Sequence, residues 1–383
     1  MRFARLAEVA FCLLASPGIL VAQVASPEQA ENSRHEPGID RATKISKVVP
    51  AEADSGHAAS VAQLQEIAEA AKGKSDQDAA KEIEQLELTE RLSSPELARL
   101  SGELPGPQSK IALMAAGDAS VFLELPKSEM LDKAAPDSAE QQQIVSRASD
   151  YLRMAVPKLP DFYAKRITTA FNVVWAAQDK QDSHKPAALH LTGRFNARVL
   201  CRNGKEVVKA EGAEGAGLTL ITQGTFGPVL STVITDNLRS AMQWRGWEKG
   251  PNGAMAVLQF HVPQKESHYG VSFPMAGLPG ARRTGYHGEI GIDPDTGTIL
   301  RLVLQSDPVL GFRAVEHADI MLEYGTVVIG GKAYTCPVRG VSISRGGYQQ
   351  MGIVGRNRSF ILLDDVVFTD YHVFRSEMRI LPE

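Results

Sequence analysis

The stretch Tyr286-His287-Gly288-Glu289-Ile290-Gly291-Ile292-Asp293-Pro294-Asp295-Thr296-Gly297-Thr298-Ile299-Leu300-Arg301-Leu302-Val303-Leu304 decides the fold. Ile290 and Ile292 alternate with Glu289 and Asp293, and Leu300, Leu302 and Leu304 alternate with Arg301 and Val303. A period of two sends successive side chains to opposite faces of a strand. Between the runs, Pro294-Asp295-Thr296-Gly297 is turn chemistry: proline presets one backbone angle and glycine accepts the left-handed one. Strands joined by so short a connection run antiparallel.

The same pattern extends in both directions. Ile320, Leu322 and Tyr324 alternate with Asp319, Met321 and Glu323, and Gly330-Gly331 makes a further hairpin. Tyr334, Cys336 and Val338 have the opposite parity to Val341 and Ile343, so a β-bulge is expected near Pro337 or Gly340. Phe360–Ile380 supplies the last strands. Upstream, Arg166–Val174 and Ala187–Leu200 read as strands, followed by the hairpin signal Arg202-Asn203-Gly204-Lys205. Gln243–Glu248 and Ala254–Val262 flank a turn at Pro251-Asn252-Gly253, and Ser267–Phe273 reads as a short strand. One helix interrupts the series. Phe226, Val229, Leu230, Val233, Ile234 and Leu238 share one helical face, with Pro228 tolerated in the first turn. The expectation is an α+β protein in which a curved, half-barrel-like antiparallel sheet packs on this amphipathic helix.

The N-terminal part reads differently. Residues 1–25 have the form of a signal peptide: Arg2 and Arg5, the apolar run Val9–Ala15, Pro17-Gly18, and small residues at Ala22 and Ala25. Residues 26–60 lack an apolar period and read as a flexible linker. Residues 61–157 form a helical module. Val61, Leu64, Ile67, Ala68 and Ala71 mark one helix, and Ile83, Leu86 and Leu92 fit a second. Ser94-Pro95-Glu96 is a helix start, and Ile144, Ala148, Tyr151, Leu152 and Ala155 lie on a last helix before Pro157. Residues 158–383 are the β-domain.

Composition narrows function. The 383 residues carry a formal net charge of −4, with 43% hydrophobic residues, so a real core is available and no nucleic-acid partner is implied. The charge is uneven: net −9 over residues 26–157 and net +4 over 158–383. No segment after the signal has the roughly 20 apolar residues of a membrane-spanning helix. Export permits disulfides, and Cys201 and Cys336 are the two cysteines beyond the signal; a bridge and two buried thiols are both open.

No G-x-S-x-G elbow, H-E-x-x-H helix, P-loop or Cys-x-x-Cys pair is present, so the sequence implies no cofactor and no metal. His190, His261, His268, His287, His317 and His372 are scattered along the strands. Asp364-Asp365 reads as a solvated turn. Asp370 and His372 share a strand parity with Phe368 and Phe374. Arg282, Arg283, Arg301, Arg339, Arg345, Arg356 and Arg358 suggest an anion-binding rim.

Leu88–Ser93, Gly117–Leu123, Lys158–Tyr163, Tyr286–Leu302, Ala318–Ser344 and Val366–Leu381 together resemble a group of uncharacterised exported proteins of acidobacteria. That resemblance implies export and brings no activity. Over roughly residues 160–383, the curved sheet with a covering helix resembles the half-barrel of periplasmic lipoprotein carriers (LolA-like). No functional residue of those carriers matches a position here.

The leading expectation is therefore an exported, non-enzymatic protein of the periplasm or the extracellular space. It would bind a hydrophobic or lipid-like ligand, or an envelope protein, through Phe226, Leu230, Ile234, Tyr269, Tyr286, Phe368, His372 and Phe374. The alternatives are a secreted hydrolase with a site assembled from His268, His287, Asp370 or His372, and a scaffold that recruits a partner through the helical module.

Overall fold

A computed structural model of the chain describes residues 57–155, 158–176, 188–202, 205–211, 228–237, 242–271, 282–308, 317–349 and 357–374. All of them lie in the unit Glu52–Glu383. The expected signal, most of the expected linker, and Phe226 lie outside the described residues.

The module begins with β1 (His57–Ala59), which pairs in parallel with β2 (Leu86–Leu88). Four helices surround this pair: α1 (Val61–Ala70), α2 (Asp76–Glu84), α3 (Ser94–Glu103) and α4 (Pro107–Ala119). Their starts are well specified. Ser60 and Gln63 form a reciprocal capping box on α1, and the Ser75 hydroxyl accepts from the Asp78 amide at the start of α2. Asp76 reaches across to cap α4, accepting from the amides of Gln108 and Ser109 at 2.9 Å. Leu64, Ala68, Ile83, Leu100 and Leu113 fill a common core. Leu92 joins that core from the segment before α3, not from a helix.

The β-domain is one open sheet. Its strands are β3 (Phe162–Ala176), β4 (His190–Arg202), β5 (Lys205–Glu211), β6 (Gln243–Gly250), β7 (Gly253–Val262), β10 (Tyr286–Ile292), β11 (Ile299–Ser306), β12 (His317–Ile329), β13 (Lys332–Gln349) and β14 (Asn357–Val373). They lie in the order β5-β4-β3-β14-β13-β12-β11-β10-β7-β6, antiparallel throughout. Of the expected strand at Ser267–Phe273, the described residues hold β8 (Gly270–Val271), paired with β9 (Arg282–Arg283) outside the large sheet.

Two layers cover this sheet. On what we call the inner face, Leu258, Phe260, Ile290, Leu302, Leu304, Ile320, Leu322 and Tyr324 form one cluster with Val229, Leu230 and Val233 of α6 (Pro228–Asn237). Ile144 and Ala148 of α5 (Ser138–Ala155) join the same cluster. Each such fully buried side chain stabilises by about 1.5–3 kcal/mol. α5, which the sequence groups with the helical module, thus joins the same core as α6. It is seated on the 293–298 turn, where Arg147 Nη1 donates to the Pro294 carbonyl at 2.8 Å. Gly297 has φ 75°, and a Cβ there would lie 2.4 Å from the Arg147 backbone, so the turn needs glycine twice over. On the outer face, Val303, Met321, Val341, Ile343, Leu363 and Phe171 pack against Ala115 of α4 and Val121.

Two of the sheet's five register shifts bear on the closing hairpins. Val338 is the extra residue opposite Glu323/Tyr324, where a bulge was expected. At Leu300 the pairing also shifts, so Ile299, not Leu300, joins Leu302 and Leu304 on the inner face. Among the described residues, no helix is long and apolar enough to cross a membrane.

Candidate ligand site on the inner sheet face

The inner face changes chemistry along its own rows. Across the sheet, Leu258, Ile290, Leu302, Leu322, Gly340, Val366, Thr168 and Phe195 stand in register. The next row is Phe260, Gly288, Leu304, Ile320, Ser342, Asp364, Ala170 and Gly193. From β7 to β12 the side chains are apolar and lie under α5 and α6. From β13 to β4 they are mixed, with Gly340, Ser342, Asp364, Thr168, Ala170 and Gly193 beside Val366 and Phe195, and among the described residues the buried cluster at the far end of these strands contains no helical residue. That cluster joins Phe162, Ala164, Val199, Cys201, Cys336, Val366 and Phe368.

The sheet curls towards this face. β5 and β12 are five strand spacings apart, or ~24 Å across a flat sheet. Yet after burial, which is the larger cause, the Glu206 carboxylate on β5 also helps raise the Tyr324 phenol on β12.

Charge is buried in the hollow. Asp364 is 5% exposed, and burial pushes its carboxyl up to about 6 while the Arg166 guanidinium opposes the shift. Arg166 is itself depressed by desolvation, against the pull of Asp364 and Glu206. Its Nε is buried and has no hydrogen-bond partner, and the same holds for the Tyr324 hydroxyl. An orphaned buried donor costs on the order of 1–3 kcal/mol. Chemically this part of the face offers a cation and an acid pushed up to about 6, with the apolar side chains of Val366 and Phe368 alongside.

The described residues expected from sequence to bind ligand do not share one place. Leu230, Ile234, Tyr269 and Tyr286 belong to the packed core under α6. Tyr269 and Tyr286 are fully buried, and Val229, Leu230 and Val233 are at most 5% exposed, so this part of the helix–sheet contact is filled. Phe368 lies in the far cluster, and Phe374 is half-buried with the Arg202 guanidinium 5.7 Å from its ring centre. His372 is on the other side of the sheet. A bulge between Thr369 and His372, with Asp370 at φ 53°, reverses the parity of β14 and pairs His372 with Tyr163. The expected common face of Phe368, Asp370 and His372 is broken for that reason.

The four candidate hydrolase residues do not converge. His268 and His287 are at one end of the sheet, and Asp370 and His372 are at the other. Asp236, buried at the end of α6, accepts from Tyr286 Oη at 2.8 Å and from the His268 amide at 2.9 Å. Its other oxygen lies 2.6 Å from His268 Nδ1. This network ties the end of α6 to the chain before β8. His287 Nδ1 is 3.6 Å from Asp307 on the exposed outer face. No group of three or more potential metal ligands is gathered among the described residues.

Sequence reasoning missed Arg166 and Asp364. The pair Asp364-Asp365 is not a turn: both residues are buried in the middle of β14, on opposite faces. Arg301 and Arg339 are likewise not a rim, since both lie in ion-pair networks beneath the helical module.

Cys201 and Cys336 are free buried thiols. Burial pushes Cys201 up to about 11 and Cys336 up to about 12, so almost no thiolate exists at neutral pH. In the chain without residues 1–25, which hold Cys12, Ellman's reagent should detect essentially no thiol in the native protein and two after unfolding without reductant. Failure to detect thiols in the unfolded chain would establish a bridge.

Comparison with family models, curated proteins and solved structures returns no match to this chain.

Proposed function

We propose that the protein is an exported, non-enzymatic binder of an amphiphile, held in the hollow of β14, β3 and β4 beside the helix-covered half of the inner face. The observation that carries this reading is the buried, partnerless Nε of Arg166 on the inner face, directly opposite Phe368 and next to Val366. A ligand with an apolar chain and a hydrogen-bond-accepting head, such as a carboxylate or phosphate, would satisfy that donor and lie against these apolar side chains. Asp364 sharpens the preference: once it is protonated, at or below about 6, it no longer opposes an anionic head. The signal-like first 25 residues support the assignment to the periplasm or beyond.

Native mass spectrometry of gently purified protein tests the reading. The wild type should retain an amphiphile, and Arg166→Met should bind it about 10-fold to 100-fold more weakly, the range for one hydrogen bond to a charged group. Repeated ligand-free preparations, with no rise in unfolding temperature on adding fatty acid or phospholipid, would reject it.

A further inference from the structure

At the end of the outer face where β10 begins, two histidines stand across from each other on neighbouring strands. His261 on β7 is directly opposite His287 on β10, and both are exposed. Parity puts them on the outer face, because Phe260, Val262 and Tyr286 beside them point into the inner-face core. Backbone bonding fixes how close they come. The Gly285 carbonyl accepts from the Asp307 amide at 2.8 Å, so Gly285, and two residues on His287, turn their backbone groups towards β11 and away from β7. His287 and His261 are therefore a non-hydrogen-bonded pair, the kind whose Cα atoms are only about 4.5 Å apart and whose side chains are the closer ones in an antiparallel ladder.

A carboxylate stands beside the pair. Asp307 follows β11, and its Oδ1 is 3.6 Å from His287 Nδ1. A Cβ at position 285 would collide with the Asp307 carboxylate, so glycine there is what lets this side chain lie across β10 towards the imidazole. The separation is long for a hydrogen bond, and a small turn of either side chain closes it. With a carboxylate holding Nδ1–H, the histidine keeps the tautomer whose Nε2 lone pair is available, which is how metal-ligating histidines are usually oriented.

We propose that His261 and His287 bind a divalent transition-metal ion of the zinc and copper(II) class, with Asp307 orienting His287. Imidazole nitrogen suits zinc, copper and nickel, whereas magnesium and calcium take oxygen ligands. Two imidazoles rooted about 4.5 Å apart on a rigid ladder can both reach one ion at about 2.0–2.1 Å without moving the backbone. No group of three or more potential ligands is gathered among the described residues, so the protein supplies two nitrogens and water completes the shell. The bound ion ties β7 to β10 one strand in from the β6 edge of the sheet and stabilises the fold by mass action. This site lies on the opposite side of the sheet from the ligand hollow, and its argument does not depend on what the hollow holds.

Calorimetric titration of the untagged, full-length protein with copper(II), zinc or magnesium chloride tests the proposal. Copper should bind more tightly than zinc, in the usual order for nitrogen sites, and magnesium should not bind. His261→Ala and His287→Ala should each weaken zinc binding at least about 10-fold, the cost of one lost ligand being at least that of a lost orienting partner. Asp307→Asn should weaken it by about 10-fold. His372→Ala, at the other end of the sheet, should leave it unchanged. Electron paramagnetic resonance with one equivalent of copper should report two coordinated imidazole nitrogens in the wild type and one in either single variant. Because both histidines are exposed, the metal-free variants should unfold at the wild-type temperature, and added zinc should raise that temperature in the wild type alone. The absence of saturable zinc or copper binding below about 1 mM would overturn the proposal, as would affinity and nitrogen count that survive both histidine substitutions. Amphiphile retention in native mass spectrometry should be unchanged in these outer-face variants, so failure here is separable from failure of the ligand reading.

Discussion

Replacing Arg339 with alanine is expected to destabilise the protein by about 3–5 kcal/mol, the usual cost of removing one partner from a buried ionic cluster. Arg339 Nε donates to Asp365 at 2.9 Å, Nη1 donates to the Ser94 hydroxyl at 2.6 Å, and Nη2 donates to Asp118. The Ser94 hydroxyl in turn donates to Glu323 at 2.7 Å. One guanidinium therefore joins α3 and α4 to β12 and β14. Without it, Asp118 and Asp365, whose side chains are 0% and 4% exposed, would face each other in a dry interface. Urea unfolding at neutral pH measures the loss; a change below about 1 kcal/mol would show that the cluster does not clamp the module.

The carboxylates around Arg339 outnumber it, and this sets the sign of the pH response. Burial, then the Asp365 charge, hold the Asp118 carboxyl well above its ordinary value, and Asp118 Oδ2 has no partner. Between the unfolded and folded pKa values, the folded state binds the extra proton. Stability from this group is therefore lost as pH rises towards the folded pKa. Asp118→Asn keeps an acceptor for Arg339 and removes the ionisation. It should flatten that loss at a cost near zero at neutral pH, which separates a charge effect from simple disruption of packing.

How much of this was legible follows from the range of each signal. Hairpins are local, so the turns at 293–298 and Gly330-Gly331, and the bulge at Val338, could be read from parity and turn residues. The bulge at Leu300 could not, because Ile299-Leu300-Arg301-Leu302 offers an apolar residue in either register. The stripe Ile144/Ala148 indicates that one face of α5 is buried but not against what, so grouping α5 with its sequence neighbours was the natural expectation. Asp364-Asp365 looks like a turn because the groups that make burial tolerable, Arg166 and Arg339, are distant in sequence or on the neighbouring strand. The ligand hollow depends on the same long-range pairings: nothing near Arg166 in the chain indicates that its guanidinium turns inward.

Glu248→Gln is expected to cost about 3 kcal/mol, for a reason opposite to that at Arg339. Here one carboxylate serves two cations. Glu248 accepts from Arg301 through both oxygens, at 2.6 and 3.0 Å, and from Arg91 at 2.7 Å. Arg91 belongs to the helical module and is only 7% exposed, so Glu248 is its bond to the sheet. An amide keeps the volume but leaves Glu289 as the nearest carboxylate to Arg91 and Arg301, at 3.7 and 3.5 Å. Burial by itself would raise the Glu248 carboxyl, but the two guanidinium groups outweigh it and hold the carboxyl below its ordinary value. Its contribution is thus complete above about pH 4.5 and lost as pH falls through the folded pKa. The stability difference between wild type and Glu248→Gln should be large at pH 7 and shrink towards pH 3. A difference that stays constant with pH would mean the substitution acts through packing. The two clusters are also joined: Glu323 stands opposite both Arg301 and Arg339, and its charge supports each. Combining Glu248→Gln with Arg339→Ala should therefore cost measurably more or less than the sum of the single losses, by about 0.5 kcal/mol or more, whereas strict additivity would show two independent pins.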